Sequence, residues 1–146
     1  MAGKITNAAC LVSLDGSEFH HYGEAKDENT DFNGTRNSPE FRNMHLSMPY
    51  LRLESSPLKD IVKEDSVYNF LEKLTNEKLI FKIDSAQHED FSCLPVVVRE
   101  SGNCKGNQYF NTISKLTVGF LEEYLKNIHS FSQVVEQEMN KTIRRK

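Results

Sequence analysis

Residues 79–92 read LIFKIDSAQHEDFS: an apolar run stops at Asp84-Ser85, and a histidine follows within a few positions. A short apolar run closed by turn-forming residues is the pattern of a strand buried in a sheet. We place a strand over 79–84, with His88 just beyond its C-terminal end.

Two further runs have the same form. Residues 8–14, AACLVSL, are ended by Asp15-Gly16. A continuous apolar run of this kind suits a strand buried on both faces, as in a parallel sheet. Residues 48–54, MPYLRLE, are ended by Ser55-Ser56-Pro57, with Pro49 at a position a strand tolerates. Between the second and third strands, Val67, Phe70, Leu71 and Leu74 recur at helical spacing. They predict a helix over 65–76, capped by Asp65 or Ser66. A longer helix is expected over 108–127, with Phe110, Ile113, Leu116, Phe120, Leu121, Tyr124 and Leu125 on its apolar side. A last, less apolar helix is expected over 130–145. Residues 17–47 are polar and rich in His, Asn, Asp and Glu, which predicts a long loop, either functional or mobile.

This order predicts a single α/β domain over residues 1–146, built on about three parallel strands with flanking helices. Three strands make a small sheet, so its faces and at least one edge need cover.

Composition narrows the functional classes. With 38% hydrophobic and 27% charged residues the sequence is that of an ordinary globular domain. It holds no apolar run of about 18 residues that would span a membrane. A net charge of -3 gives no ground for a nucleic-acid partner. The basic tail of Lys141, Arg144, Arg145 and Lys146 suits a helix C-terminus instead. Cys10, Cys93 and Cys104 are odd in number and lack metal-ligand spacing, which fits free thiols in a reducing compartment. As written, the chain carries no signal peptide and reads as cytoplasmic. His20, His21 and His45 lie in the polar loop without a ligand pattern, so neither metal nor cofactor is expected.

The chemistry-bearing candidates are Asp15 and His88. Each follows a buried strand, and parallel strands end on one rim, where ligands of open sheets bind. A histidine acting as general base needs one ring nitrogen for its reacting partner and a carboxylate on the other. The plainer account of Asp15 is a turn residue, since Asp-Gly is a common turn pair; for His88 it is a loop histidine without a task. Glu54, at the end of the next strand, is the alternative acid. Gly102-Asn103-Cys104-Lys105-Gly106 spells Gly-x-Cys-x-Gly, which makes Cys104 an alternative nucleophile. Yet Arg99-Glu100-Ser101 separates it from the apolar run over 94–98, so the segment reads better as a polar loop.

Leu14-Asp15-Gly16 after a strand, the Pro49-Tyr50-Leu51 strand, and His88-Glu89-Asp90-Phe91-Ser92 before an aromatic-rich helix together resemble a branch of the α/β-hydrolases. The nearest are the platelet-activating-factor acetylhydrolase-like and dienelactone-hydrolase-like esterases. The resemblance covers essentially the whole chain in element order, and the His-x-Asp-Phe-Ser segment is its most specific part. It implies a partial α/β-hydrolase fold, with Asp15 as triad acid, His88 as triad base and Phe91 packed beneath the histidine loop. The loop over 17–47 would lie near the active-site rim as a lid. In this family the serine precedes the acid, in a Gly-x-Ser-x-Gly elbow. Fourteen residues precede Asp15 and hold no such elbow.

The resemblance therefore implies a truncated or split serine hydrolase of small carboxylic esters, completed by an N-terminal half or by a homodimer. The alternatives are a binding or assembly module that keeps the fold, and a hydrolase using Cys104 with His88. Residues 1–146 alone are expected to hydrolyse no short acyl ester and to take no fluorophosphonate label, because an acid and a histidine form no acyl-enzyme without a serine and oxyanion donors. Turnover that is blocked by stoichiometric serine labelling would refute this.

Overall fold

A computed structural model describes residues 8–16, 30, 34, 37–42, 47–55, 79–92, 104–139 and 141–145. Its centre is a four-stranded sheet of β1 (Leu11–Leu14), β2 (Tyr50–Glu54), β3 (Leu79–Ile83) and β4 (Ile143–Arg145), in that spatial order. The first three strands are parallel, with Leu11 opposite Tyr50 and Leu51 opposite Leu79. β4 runs antiparallel to β3, with Ile83 opposite Ile143. The helices are a short α1 (Pro39–Arg42), a long α2 (Cys104–Lys126) and α3 (Phe131–Glu138). A 3-10 turn spans His88–Phe91.

The architecture is thus of α/β type, but the sheet is mixed rather than purely parallel. The expected helix over 130–145 ends at Glu138. Met139 then takes an extended-type ψ of 139°, and the Lys141 and Thr142 N–H groups both donate to the Glu138 carbonyl, turning the chain back. Ile143 enters the core as a strand residue, while Arg144 and Arg145 stay exposed. The segment over 102–106 also differs from expectation, since α2 begins at Cys104. At its other end Asn127 adopts a φ of 58°, the left-handed conformation that stops helices and that asparagine tolerates. The expected helix over 65–76 and most of the polar stretch over 17–47 lie outside the described residues, although α1 falls within the latter.

Alternation sorts the sheet into two unlike faces. Leu51 and Leu53 of β2, Phe81 and Ile83 of β3 and Ile143 of β4 share one face and pack against Ile113, Leu116 and Phe120 of α2 and Phe131 of α3. Residues 113, 116 and 120 recur at three- and four-residue intervals, which puts them on one helical stripe. Phe120 and Phe131 meet edge to face with centroids 5.6 Å apart, and Phe81 meets Phe131 at 6.3 Å. The other face carries Ser13, Tyr50, Arg52, Glu54, Ile80 and Lys82, all buried. β2 and β3 are therefore strands with both faces buried. β1, expected to be so, lies at the sheet edge with Leu14 40% exposed, because among the described residues it has a neighbour on one side only. No described helix is long and apolar enough to cross a membrane.

Glu138 ties α3 to α2: Thr112 Oγ1 donates to Oε2 at 3.0 Å and Lys115 Nζ to Oε1 at 3.1 Å. Burial alone would raise this carboxyl, but the hydrogen bonds from Lys115 and Thr112, with the charges of Lys115 and Lys141, hold it below the usual range. A carboxylate depressed in the folded state adds stability above its unfolded value, and that contribution is lost as pH falls through the folded one. We expect Glu138→Gln to cost about 1 kcal/mol at pH 7 in urea melts. The difference from the parent chain should shrink to nothing on acidification below about pH 4. A difference independent of pH would show that the charge is not what matters.

Candidate functional site

The C-terminal ends of β1, β2 and β3 converge on one rim, and the turns leaving β1 and β3 have a similar local cause. Asp15 follows β1 with φ 51°, and Ser85 follows β3 with φ 65°. In each, a left-handed residue bends the chain sharply off its strand. Asp is one of the few non-glycine residues that accept this conformation readily. Asp15 stays in register as it turns, its N–H donating to the Leu53 carbonyl at 2.8 Å. After Ser85 the chain reaches Gln87, whose N–H donates to Asp90 Oδ2 at 2.9 Å. The Asp90 N–H returns to the Gln87 carbonyl at 3.0 Å. This reciprocal pair closes the 3-10 turn and sets His88 at its first position. Phe91 packs against the core below, and the turn as a whole lies against α2.

The rim brings Asp15 and His88 together. His88 Nδ1 lies 2.8 Å from Asp15 Oδ2. The other carboxylate oxygen, Oδ1, accepts the Ser55 N–H at 2.7 Å. The acid is buried, at 2% side-chain exposure, whereas the histidine is 77% exposed. An ionised carboxylate only accepts, so Nδ1 carries the proton and the Nε2 lone pair is the basic one. Among the described residues nothing partners Nε2. The arrangement is an oriented imidazole: its tautomer and direction are set from beneath, and its basic edge faces outward. It can take a proton from a hydroxyl or thiol brought against it and return that proton to a leaving group.

Glu54, the alternative acid, is fully buried and paired with Arg52, whose Nε lies 2.6 Å from Glu54 Oε1. The same guanidinium donates from Nη2 to the Gly16 carbonyl at 3.0 Å. The carboxylate placed on His88 is that of Asp15. Arg52 was missed by sequence reasoning. Its signal was present in Leu51-Arg52-Leu53-Glu54, where opposite charges alternate with leucines, but such alternation normally marks a strand with one solvated face. Cys104 stands at the first position of α2, and its side chain lies outside the described residues, as do His20, His21 and His45. No cluster of three metal-ligating side chains occurs among the described residues.

No family model matches the chain, and neither the curated proteins nor the solved structures contain a match to it.

The two halves of the pair should respond differently to truncation. Asp15→Ala leaves the Ser55 N–H buried without its acceptor, so a loss of about 1–3 kcal/mol is expected in chemical denaturation. His88→Ala removes an exposed ring that water can replace, and should stay within about 0.5 kcal/mol of the parent. Equal losses in the two variants would contradict the asymmetry of the site.

Proposed function

We propose that this chain is the C-terminal half of a serine α/β-hydrolase acting on carboxylic esters, in which Asp15 and His88 are two members of a Ser-His-Asp triad. The observation that carries the reading is the 2.8 Å contact between a buried carboxylate and the Nδ1 of an exposed histidine, both at the C-terminal rim of parallel strands. The acid-then-histidine order matches the order of these groups in α/β-hydrolases. In the complete enzyme a serine outside residues 1–146 attacks the acyl carbon while His88 Nε2 takes the hydroxyl proton. A tetrahedral oxyanion forms and collapses, expelling the alcohol, to which His88 returns the proton. Water then repeats the sequence on the acyl-enzyme and releases the acid. Asp15 holds the imidazole and stabilises its cationic form throughout, without itself taking the proton.

A second reading, an assembly module that keeps the fold without the activity, is favoured by the position of β1. An edge strand with an exposed leucine is a template for pairing with another chain. Either a nucleophile-bearing half or a second copy of this chain would satisfy it.

The test joins residues 1–146 to the polypeptide encoded immediately upstream and assays short acyl esters. Under the hydrolase reading the product takes a fluorophosphonate on a serine within a Gly-x-Ser-x-Gly segment. Asp15→Asn and His88→Ala then each lower kcat by at least about 10³-fold. An upstream sequence without that segment, or activity indifferent to His88, would overturn it. A concentration-dependent dimer in sedimentation, with no ester turnover in any form, would favour the assembly module.

A further inference from the structure

Taking the acid–histidine pair as read above, we propose that Arg52 is its positioning residue: a guanidinium buried inside the sheet that clamps the turn carrying Asp15 and so aims the carboxylate at His88. Arg52 is 0% exposed, on the central strand, and its Cα stands opposite Ser13 of β1. From there the side chain reaches the C-terminal rim and divides its donors. Nε lies 2.6 Å from Glu54 Oε1, and Nη2 lies 3.0 Å from the Gly16 carbonyl.

Asp15 leaves β1 in a left-handed conformation, so a fixed turn on its far side decides where its carboxylate points. Three bonds then bracket the acid. Its own N–H is held by Leu53, its Oδ1 by the Ser55 N–H, and the residue after it by Arg52. All three anchors are on β2 or directly after it. The strand between the acid and the histidine therefore carries the jig for the acid. Glu54 belongs to the device, because its bond to Nε fixes the plane of the guanidinium and thereby the direction of Nη2. A planar fork with separate donors can serve two acceptors in fixed geometry, whereas a lysine ammonium is a single point of charge. The buried arginine is thus aimed at a backbone carbonyl beside the candidate catalytic acid, in addition to pairing with Glu54.

The experiment reads the imidazole tautomer by ¹⁵N NMR of histidine-labelled chain, at a pH where the ring is neutral. In the parent, His88 should be in the Nδ1–H form, with the pyridine-like resonance at Nε2. Asp15→Asn is the control for the pair itself. If it leaves the His88 spectrum unchanged, the acid–histidine reading fails. If it shifts the spectrum and the Arg52 variants do not, the positioning inference alone fails. Arg52→Lys keeps a cation beside Glu54 but cannot hold both acceptors. The triple variant Arg52→Met, Glu54→Leu and Lys82→Met removes the buried charges of this face together, a replacement that buried ion pairs often tolerate. In each folded variant we expect the ratio of Nδ1–H to Nε2–H forms to fall about tenfold, as for the loss of one charge-assisted hydrogen bond. An unchanged tautomer in a folded variant overturns the proposal. So does failure of both variants to fold, since the pair would then be holding the sheet rather than aiming the acid.

Discussion

One carboxylate joins the three parallel strands at their rim. Asp15 ends β1, accepts the N–H of the residue that follows β2, and meets the histidine delivered beyond β3. Without parallel alignment these groups, up to 73 residues apart in sequence, would not share an edge of the sheet. The burial of the acid matters as much as its position. A carboxylate taken out of water is costly unless its oxygens are hydrogen-bonded. Here one oxygen has a backbone N–H and the other the imidazole. The histidine satisfies that oxygen from the solvent side, where water can take its place, while the acid orients the histidine. The contact has a direction, with the buried carboxylate beneath and the exposed imidazole outward.

The two faces of the sheet divide the work of folding and of site construction. The apolar face, with Leu51, Leu53, Phe81, Ile83 and Ile143 against α2 and α3, supplies the hydrophobic driving force. Its strands must align for that core to close, and closing it fixes the register that brings the Asp15 carboxylate within reach of the Ser55 N–H. The opposite face buries Arg52, Glu54 and Lys82, with Glu54 and Lys82 opposite each other in register. Such charges add little net stability, because desolvation offsets their attraction. Their value to the molecule is geometric. They hold polar atoms at set positions immediately below the rim, where an apolar side chain would have no means of gripping a backbone carbonyl.

Much of the rim was legible in the sequence. Three apolar runs, each closed by a turn signal, marked β1, β2 and β3, and the residues just past the first and third are those that meet. The left-handed conformation of Asp15 shows why its two accounts were hard to separate: it is a turn residue and a partner of His88 at once. What stayed hidden has physical causes. β4 is three residues long, and two of them are arginines, so its only apolar signal is Ile143, which fits a helix stripe equally well. The start of α2 was obscured by Gly102 and Gly106, residues that usually interrupt a helix. The burial of β1 was overestimated because seven apolar or small residues look alike whether a strand lies in the middle of a sheet or at its edge. The burial of Arg52 and Glu54 was hidden for the opposite reason, because local alternation suggested a solvated face.

The exposure of His88 is the remaining clue to how the rim is used. A core histidine is buried, with its nitrogens hydrogen-bonded inside the protein. This one has a fixed Nδ1 and an outward basic edge, above a carboxylate whose turn is gripped from inside the sheet. An orienting apparatus built from buried groups around an exposed base is what proton transfer to a second body requires, since the base must be pre-aimed before its partner arrives. The edge strand β1 lies on the acid side of the same rim. A segment that paired with β1 in parallel would end its own strand beside Asp15. Under the proposed hydrolase reading, the nucleophile would be carried just past the end of such an added strand, level with the turn of Asp15, on the side of β1 that has no neighbour among the described residues.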